Sequence, residues 1–167
     1  PAPIINKNLE KKIINKIIKP TLLALKIKKK PYTGFLYAGL MIRDNEPYLI
    51  EYNVRMGDPE CQVIIPRLKT DLVQLLNASV ENKLNKIKIR WRKEKCMAIV
   101  LCAKGYPNKH ITNQKIKLES VKLTKKSFIF HAGTKIKNNL LFSNGGRVLN
   151  IVVLGSSFLK IREKILK

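Results

Sequence analysis

The stretch Tyr48–Gln62, YLIEYNVRMGDPECQ, decides how the rest of the chain is read. The protein carries 34 Lys and Arg against 11 Asp and Glu, a formal charge of +23. Yet five of those acids, Asp44, Glu46, Glu51, Asp58 and Glu60, fall within seventeen residues. Side chains alternate along a strand, so IEYNVR sorts into two sets. Ile50, Tyr52 and Val54 face a core; Glu51, Asn53 and Arg55 face the other way, about 7 Å from one to the next. A carboxylate and an amide oxygen in a row beside a guanidinium suit a hard cation bound to phosphate. Mg²⁺ takes oxygen ligands, usually only one or two from protein, and completes its shell with water and substrate phosphates. Arg55 is placed to fork onto a carboxylate or phosphate. The plainer reading is a half-solvated strand with one polar face. RMGDPE adds weight to the first: Gly57 sits at a tight turn, and Asp58 and Glu60 flank Pro59 where the next helix begins, near exposed N–H groups. A turn just past a polar strand end is a natural ligand-facing loop.

On the N-terminal side, YTGFLYAGLMI, RDNEP and YLIEYNV read as apolar run, turn and apolar run, a β-hairpin. Residues 8–30 predict a helix, capped by Asn8 and with Leu9, Ile13, Ile14, Ile17 and Ile18 at helical spacing. Pro20 is expected to break or kink it, or to start a second helix at Thr21. On the C-terminal side, 59–68 and 71–84 predict helices. The second has Thr70 as N-cap and a stripe of Leu72, Val73, Leu75, Leu76, Val80 and Leu84. Beyond the basic segment NKLNKIKIRWRKEK the texture becomes β-rich, with CMAIVLCA, SFIFHAG and GRVLNIVVLG, and then a helix from Ser156. The expected fold is α/β (α+β), an antiparallel sheet backed by helices over 1–90 and a small β-rich domain over 91–167 that ends in a helix.

Composition removes several classes. A chain of 167 residues with 45% apolar content can bury a core in one domain or two small ones. No apolar run approaches the ~18 residues of a membrane span. Cys61, Cys96 and Cys102 form no CxxC pair and read as small buried thiols of a reducing compartment, the cytoplasm. Two scattered histidines, His110 and His131, do not complete a zinc site. The charge suggests nucleic acid, but 27 of the basic residues are Lys and only 7 Arg, and the Lys are spread throughout. Base readout favours Arg, so no specific nucleic-acid partner is expected. The densest run, KIKKK at 26–30, falls where a helix ends, which suits the helix dipole. The start, PAPIIN, shows neither an initiator Met nor a leader, and the last helix runs out without a stop signal. Both predict a partial chain.

YTGFLYAGLMI…YLIEYNVRMGDPECQ resembles the core signature of the phosphoribosylamine–glycine ligase (glycinamide ribonucleotide synthetase) family of the ATP-grasp superfamily. PAPII and IIKPT resemble the segment before that hairpin, and PRLKTDLVQLL the helix after it. GYP, FHAGT and SNGGRVLNIVVLG resemble the family's C-terminal domain in the same order, so the resemblance spans essentially the whole chain. It implies that Glu51 and Asn53 hold the divalent cation, Mg²⁺ or Mn²⁺, that bridges the ATP phosphates. It also implies that Arg55 and Asp58 face substrate or phosphate. Met56 stands where the family usually has Phe. NGGR, Asn144–Arg147, reads either as a loop approaching the same cleft or as a hairpin turn that needs glycine. The implied reaction joins glycine to 5-phosphoribosylamine with ATP, through an acyl phosphate, in purine biosynthesis. The chain has no GxxxxGK[ST] or GxGxxG phosphate loop. The family's N-terminal domain and ATP-grasp lid are expected to precede Pro1, leaving this piece inactive alone and with uncovered apolar surface. The alternatives are another ATP-grasp carboxylate–amine ligase, a basic nucleic-acid-binding module, and a decayed gene remnant.

Overall fold

The computed structural model describes residues 5–166, so PAPII, except for Ile5, lies outside the described residues. The chain divides into two compact units, residues 1–57 with 73–87 and residues 58–72 with 88–167.

The first unit opens with helix α1 (Lys7–Ile13), a π-helical turn (Ile14–Ile18) and α2 (Lys19–Ile27) without interruption. Asn6, one turn before Leu9, supplies the cap in place of the expected Asn8: its side chain accepts from the Leu9 N–H at 2.8 Å. Pro20 does not break the helix or start a new one at Thr21. It sits at the first turn of α2, directly after the π turn, where a missing N–H costs the ladder little. The helix ends at Ile27, inside the lysine run, with Lys29 in the left-handed region and the Lys30 N–H donating to the Leu25 carbonyl at 2.9 Å. Strands β1 (Tyr37–Arg43) and β2 (Glu46–Asn53) form the expected antiparallel hairpin. Asp44 and Asn45 both have positive φ (50° and 61°) at the turn, as a two-residue primed turn requires. Helix α1 packs on β2. Lys12 of α1 and Lys16 of the π turn both pair with Glu46, so the helix and the start of β2 are joined by charge. Helix α4 (Leu72–Val80) is shorter than expected. Asn82 takes a positive φ of 56° and the Lys83 N–H closes back on the Ala78 carbonyl at 2.7 Å, which terminates the helix before Leu84.

In the second unit, the expected helix over 59–68 is one short α-turn, α3 (Cys61–Ile64), followed by a 3₁₀ turn (Ile65–Arg67). Thr70 does not cap α4; its hydroxyl accepts from the Arg90 N–H at 2.7 Å. With Lys69 N–H to the Arg90 carbonyl at 2.9 Å and Arg92 N–H to the Arg67 carbonyl at 2.7 Å, these bonds lace 67–70 to 90–92. That lacing explains why 58–72 belongs with the β-rich half. Its main sheet has β8 (Arg147–Gly155) between β3 (Lys95–Cys102) and β5 (Ser127–His131), both antiparallel to it. A second sheet has the order β4 (Lys115–Ile116), β7 (Leu140–Ser143), β6 (Thr134–Lys137). Helix α5 (Phe158–Ile165), capped by Ser157 rather than Ser156, packs on β8 and β3. The core sits on β8, where Val148, Leu149, Val152, Val153 and Leu154 are buried with Ile161 of α5. Fully burying such a side chain contributes about 1.5–3 kcal/mol. The thiols are not uniformly buried: Cys102 is exposed, whereas Cys61 and Cys96 are half-buried and all three are free. Among the described residues no helix is long and apolar enough to cross a membrane.

Candidate functional site

Glu51 and Asn53 lie side by side on β2, with Asn53 Nδ2 donating to Glu51 Oε1 at 3.0 Å. Gly39 faces Glu51 across the hairpin. A Cβ there would stand 3.0 Å from Glu51 Cγ, so the bare backbone of Gly39 leaves room for the acidic side chain. The strand itself is irregular at this point. Gly39 pairs with Glu51 and Leu40 with Leu49, which leaves Ile50 as the extra residue of a β-bulge. Bulges re-aim side chains and break strict alternation.

That irregularity changes the other face. Ile50 is 65% exposed and Val54 72% exposed, so neither joins the core expected for them. Only Tyr52 turns inward. Its hydroxyl lies 2.8 Å from Thr21 Oγ1 and 3.2 Å from the Ile17 carbonyl, at the π turn. A two-stranded hairpin with one helical layer can bury only the side chains that lie over that layer, and of these three only Tyr52 is so placed; on the same strand Pro47 is buried as well. Arg55 lies past the end of β2, in a bend, and is exposed; its Nη1 donates to the adjacent Met56 carbonyl at 2.9 Å.

Asp58 belongs to the second unit and is held on every acceptor. Gln62 Nε2 donates to Oδ1 at 2.9 Å, Arg147 Nη2 stands 3.3 Å from Oδ2, and Arg147 Nη1 donates to the Asp58 carbonyl at 2.9 Å. The Asp58–Pro59 peptide is cis. Glu60 precedes α3 and makes no side-chain cap bond there; its carbonyl accepts from the Val63 and Ile64 N–H groups at 3.1 and 3.0 Å. The structure therefore brings Glu51 and Asn53 together and gives Asp58 a separate set of partners. Gln62 carried no sequence signal of this role. Arg147 had one, the NGGR motif, whose glycines hinted at a constrained loop.

Charge within the first unit is ordered around Glu46. Lys12 and then Lys16 hydrogen-bond its carboxyl and hold it below the usual carboxylate range. In the second unit, a backbone hydrogen bond and then Lys126 lower Glu94, while burial pushes the Cys96 thiol up against the opposing charge of Arg67. Among the described residues no three His, Cys, Asp or Glu cluster as a metal cage. A cation at Glu51 and Asn53 would depend on few protein oxygens, the regime of Mg²⁺ bound with substrate phosphates.

Residues 1–61 match the family model described as phosphoribosylglycinamide synthetase, ATP-grasp (A) domain, and residues 96–167 match the one described as its C domain. The phosphoribosylamine–glycine ligase of Caldanaerobacter subterraneus is 42% identical over 164 residues, 98% of this chain and 39% of the relative. That of Mesorhizobium japonicum is 43% identical over 157 residues, 94% of this chain and 37% of the relative. The crystal structure of the Thermotoga maritima phosphoribosylamine–glycine ligase superposes with a TM-score of 0.82 at 33% identity, over 97% of this chain and 39% of that one. The chain thus spans about two-fifths of the length of the curated relatives it matches. With both domain models matched in order, and one fold shared along nearly all its length, the chain belongs to the phosphoribosylglycinamide synthetase family.

Proposed function

We propose that this chain carries the cation-holding strand of a phosphoribosylamine–glycine ligase. The reaction joins glycine to 5-phosphoribosylamine with ATP, giving glycinamide ribonucleotide, ADP and phosphate through glycyl phosphate, a step of de novo purine biosynthesis. The observation that carries this reading is the Glu51–Asn53 pair, adjacent on β2 at 3.0 Å and inside the stretch matched to the ATP-grasp domain. Two hard oxygen donors on one strand fit Mg²⁺ or Mn²⁺. Asn53 turns its Nδ2 toward Glu51, so a half-turn of the amide brings Oδ1 beside the carboxylate for shared ligation. When bound, the cation neutralises charge on the ATP phosphates. Glu51 and Asn53 hold it. Arg55, exposed just past the strand, forks onto phosphate or the glycine carboxylate. Asp58 orders the turn that follows.

The division into 1–90 and 91–167 belongs to the same proposal as a division of family domains along the chain, distinct from the contact units that join 58–72 to 88–167, since the two family models leave 62–95 between them. So do a cytoplasmic location and the need for the family's preceding segment, which supplies most of the nucleotide site. The test is to join this chain to that segment and follow ADP release. Release that requires both glycine and phosphoribosylamine supports the reading. Release driven by a different carboxylic acid would instead assign the chain to another ATP-grasp ligase.

A further inference from the structure

We propose that Arg147 is a positioning residue that acts through Asp58, and that the two form a latch fixing the turn Asp58–Glu60. Asp58 is then not a group that touches substrate. The contact is a two-point grip. One guanidinium nitrogen donates to the Asp58 carbonyl at 2.9 Å, and the other stands 3.3 Å from its carboxylate. Gln62 takes the remaining carboxylate oxygen at 2.9 Å. A carboxylate whose two oxygens are both engaged within the protein is poorly disposed to bind a ligand. A planar fork that holds backbone and side chain together is well suited to fixing a turn.

The far end of the latch is built with equal care, and three motifs of unrelated position converge there. Gly133 of FHAGT lies against the loop: a Cβ on it would stand 2.7 Å from both the Arg147 carbonyl and Gly145 Cα. Its N–H donates to the Arg147 carbonyl at 2.8 Å, and its carbonyl accepts from Asn144 N–H at 2.7 Å. Gly146 lies under Tyr106 of GYP, so any Cβ would run into the ring. The Gly146 carbonyl accepts from Ala103 N–H at 2.7 Å. Gly133 and Gly146 are therefore required by close packing, and the packing fixes the backbone from which Arg147 reaches Asp58. All of these residues lie in the second unit.

The kinetic part of the test rests on the proposed function; the exchange part does not. In the ligase completed with the family's preceding segment, Arg147→Met and Asp58→Ala should each lower kcat about ten- to a hundredfold, as misplacement by a fraction of an ångström does. The double variant should be no slower than the worse single one, and KM for ATP should stay near wild type. Asp58→Asn keeps the carbonyl contact and, with the Gln62 amide turned so that its Oε1 accepts from the new NH2, both side-chain contacts, so it should stay within about threefold of wild type, whereas loss of a substrate-binding charge would cost far more. Arg147→Lys should recover only part of the loss, because an ammonium cannot span both acceptors. In this chain by itself, hydrogen exchange at the Asp58 and Glu60 amides should quicken in Arg147→Met. Unchanged exchange there, additive losses in the double variant, or an Asp58→Asn as slow as Asp58→Ala would each overturn the latch. If the completed wild-type ligase releases no glycine-dependent ADP, the proposed function fails and the exchange result alone decides the latch.

Discussion

Strands β2 and β8 look alike as sequences, each a run of large apolar residues with a polar one set inside, and they have opposite fates. Val152 of β8 is 0% exposed, whereas Ile50 of β2 is 65% exposed. β8 has a strand on each side and helix α5 against it, so even Asn150 is buried at 1% exposure. β2 has one partner strand, one helical layer and a bulge in the middle. Composition alone makes both into strands; the number of neighbours decides which one becomes a core and which one presents side chains. The chemistry proposed here lies on the second kind, where Glu51 and Asn53 remain accessible because little is packed around them.

The sharpest way to break this contrast is to mutate each strand and read both activity and stability. Glu51→Ala in the completed ligase should lower turnover by at least about a hundredfold, the scale of losing charge stabilisation at a transferred phosphoryl group. In this chain it should move the unfolding free energy by no more than about 0.5 kcal/mol, as surface changes do. Leu149→Ala in β8 should do the reverse in kind, costing about 2–5 kcal/mol in denaturant unfolding, because it empties a packed site. Tyr52→Phe probes the inward hydroxyl of β2 and should cost about 1 kcal/mol through its lost hydrogen bonds to Thr21 and the Ile17 carbonyl. Ile50→Ser should be close to neutral, within about 0.5 kcal/mol; a loss like that of Leu149→Ala would mean that β2 is covered after all.

The smallest effect concerns pH. Glu46 has its carboxyl held below the usual range by Lys12 and Lys16, so it contributes stability above its unfolded pKa and loses it as pH falls through the lower folded one. Thermal melts should therefore show a slight acid-side decline that Glu46→Gln removes. Glu46 and its two lysines are still in contact with solvent, so added salt should flatten the same decline.

Much of the fold was readable because it rests on local chemistry. Asp44 and Asn45 mark the hairpin turn as a dipeptide that accepts positive φ, and the three apolar runs after residue 95 are the three strands of the main sheet. The errors came where a distant partner outbids a local rule. Thr70 has every property of a helix cap and gives its oxygen to Arg90 instead. Pro20 is a separate case with no distant partner: it sits directly after a π turn with helix on both sides, so the helix is not broken there. Ile50 and Val54 follow the period of a buried face, but Ile50 is the extra residue of a bulge and Val54 lies past the strand end, and both are exposed. At the site, Glu51 and Asn53 were legible because i and i+2 share a strand face. The partner of Asp58 was not, since Arg147 lies 89 residues away and no local pattern encodes that pairing.

The central claim is that Glu51 and Asn53 together hold the divalent cation. The most direct measurement is an electron paramagnetic resonance titration of Mn²⁺ with ATP present, using the completed ligase and its Glu51→Ala and Asn53→Ala variants. The account predicts at least tenfold weaker Mn²⁺ binding in each variant, since losing even an outer-shell partner of a metal ligand costs about 10–100-fold, with ATP affinity measured without metal left unchanged. Mn²⁺ binding in Glu51→Ala equal to wild type would contradict it and return the acidic residue to the role of a solvated strand face.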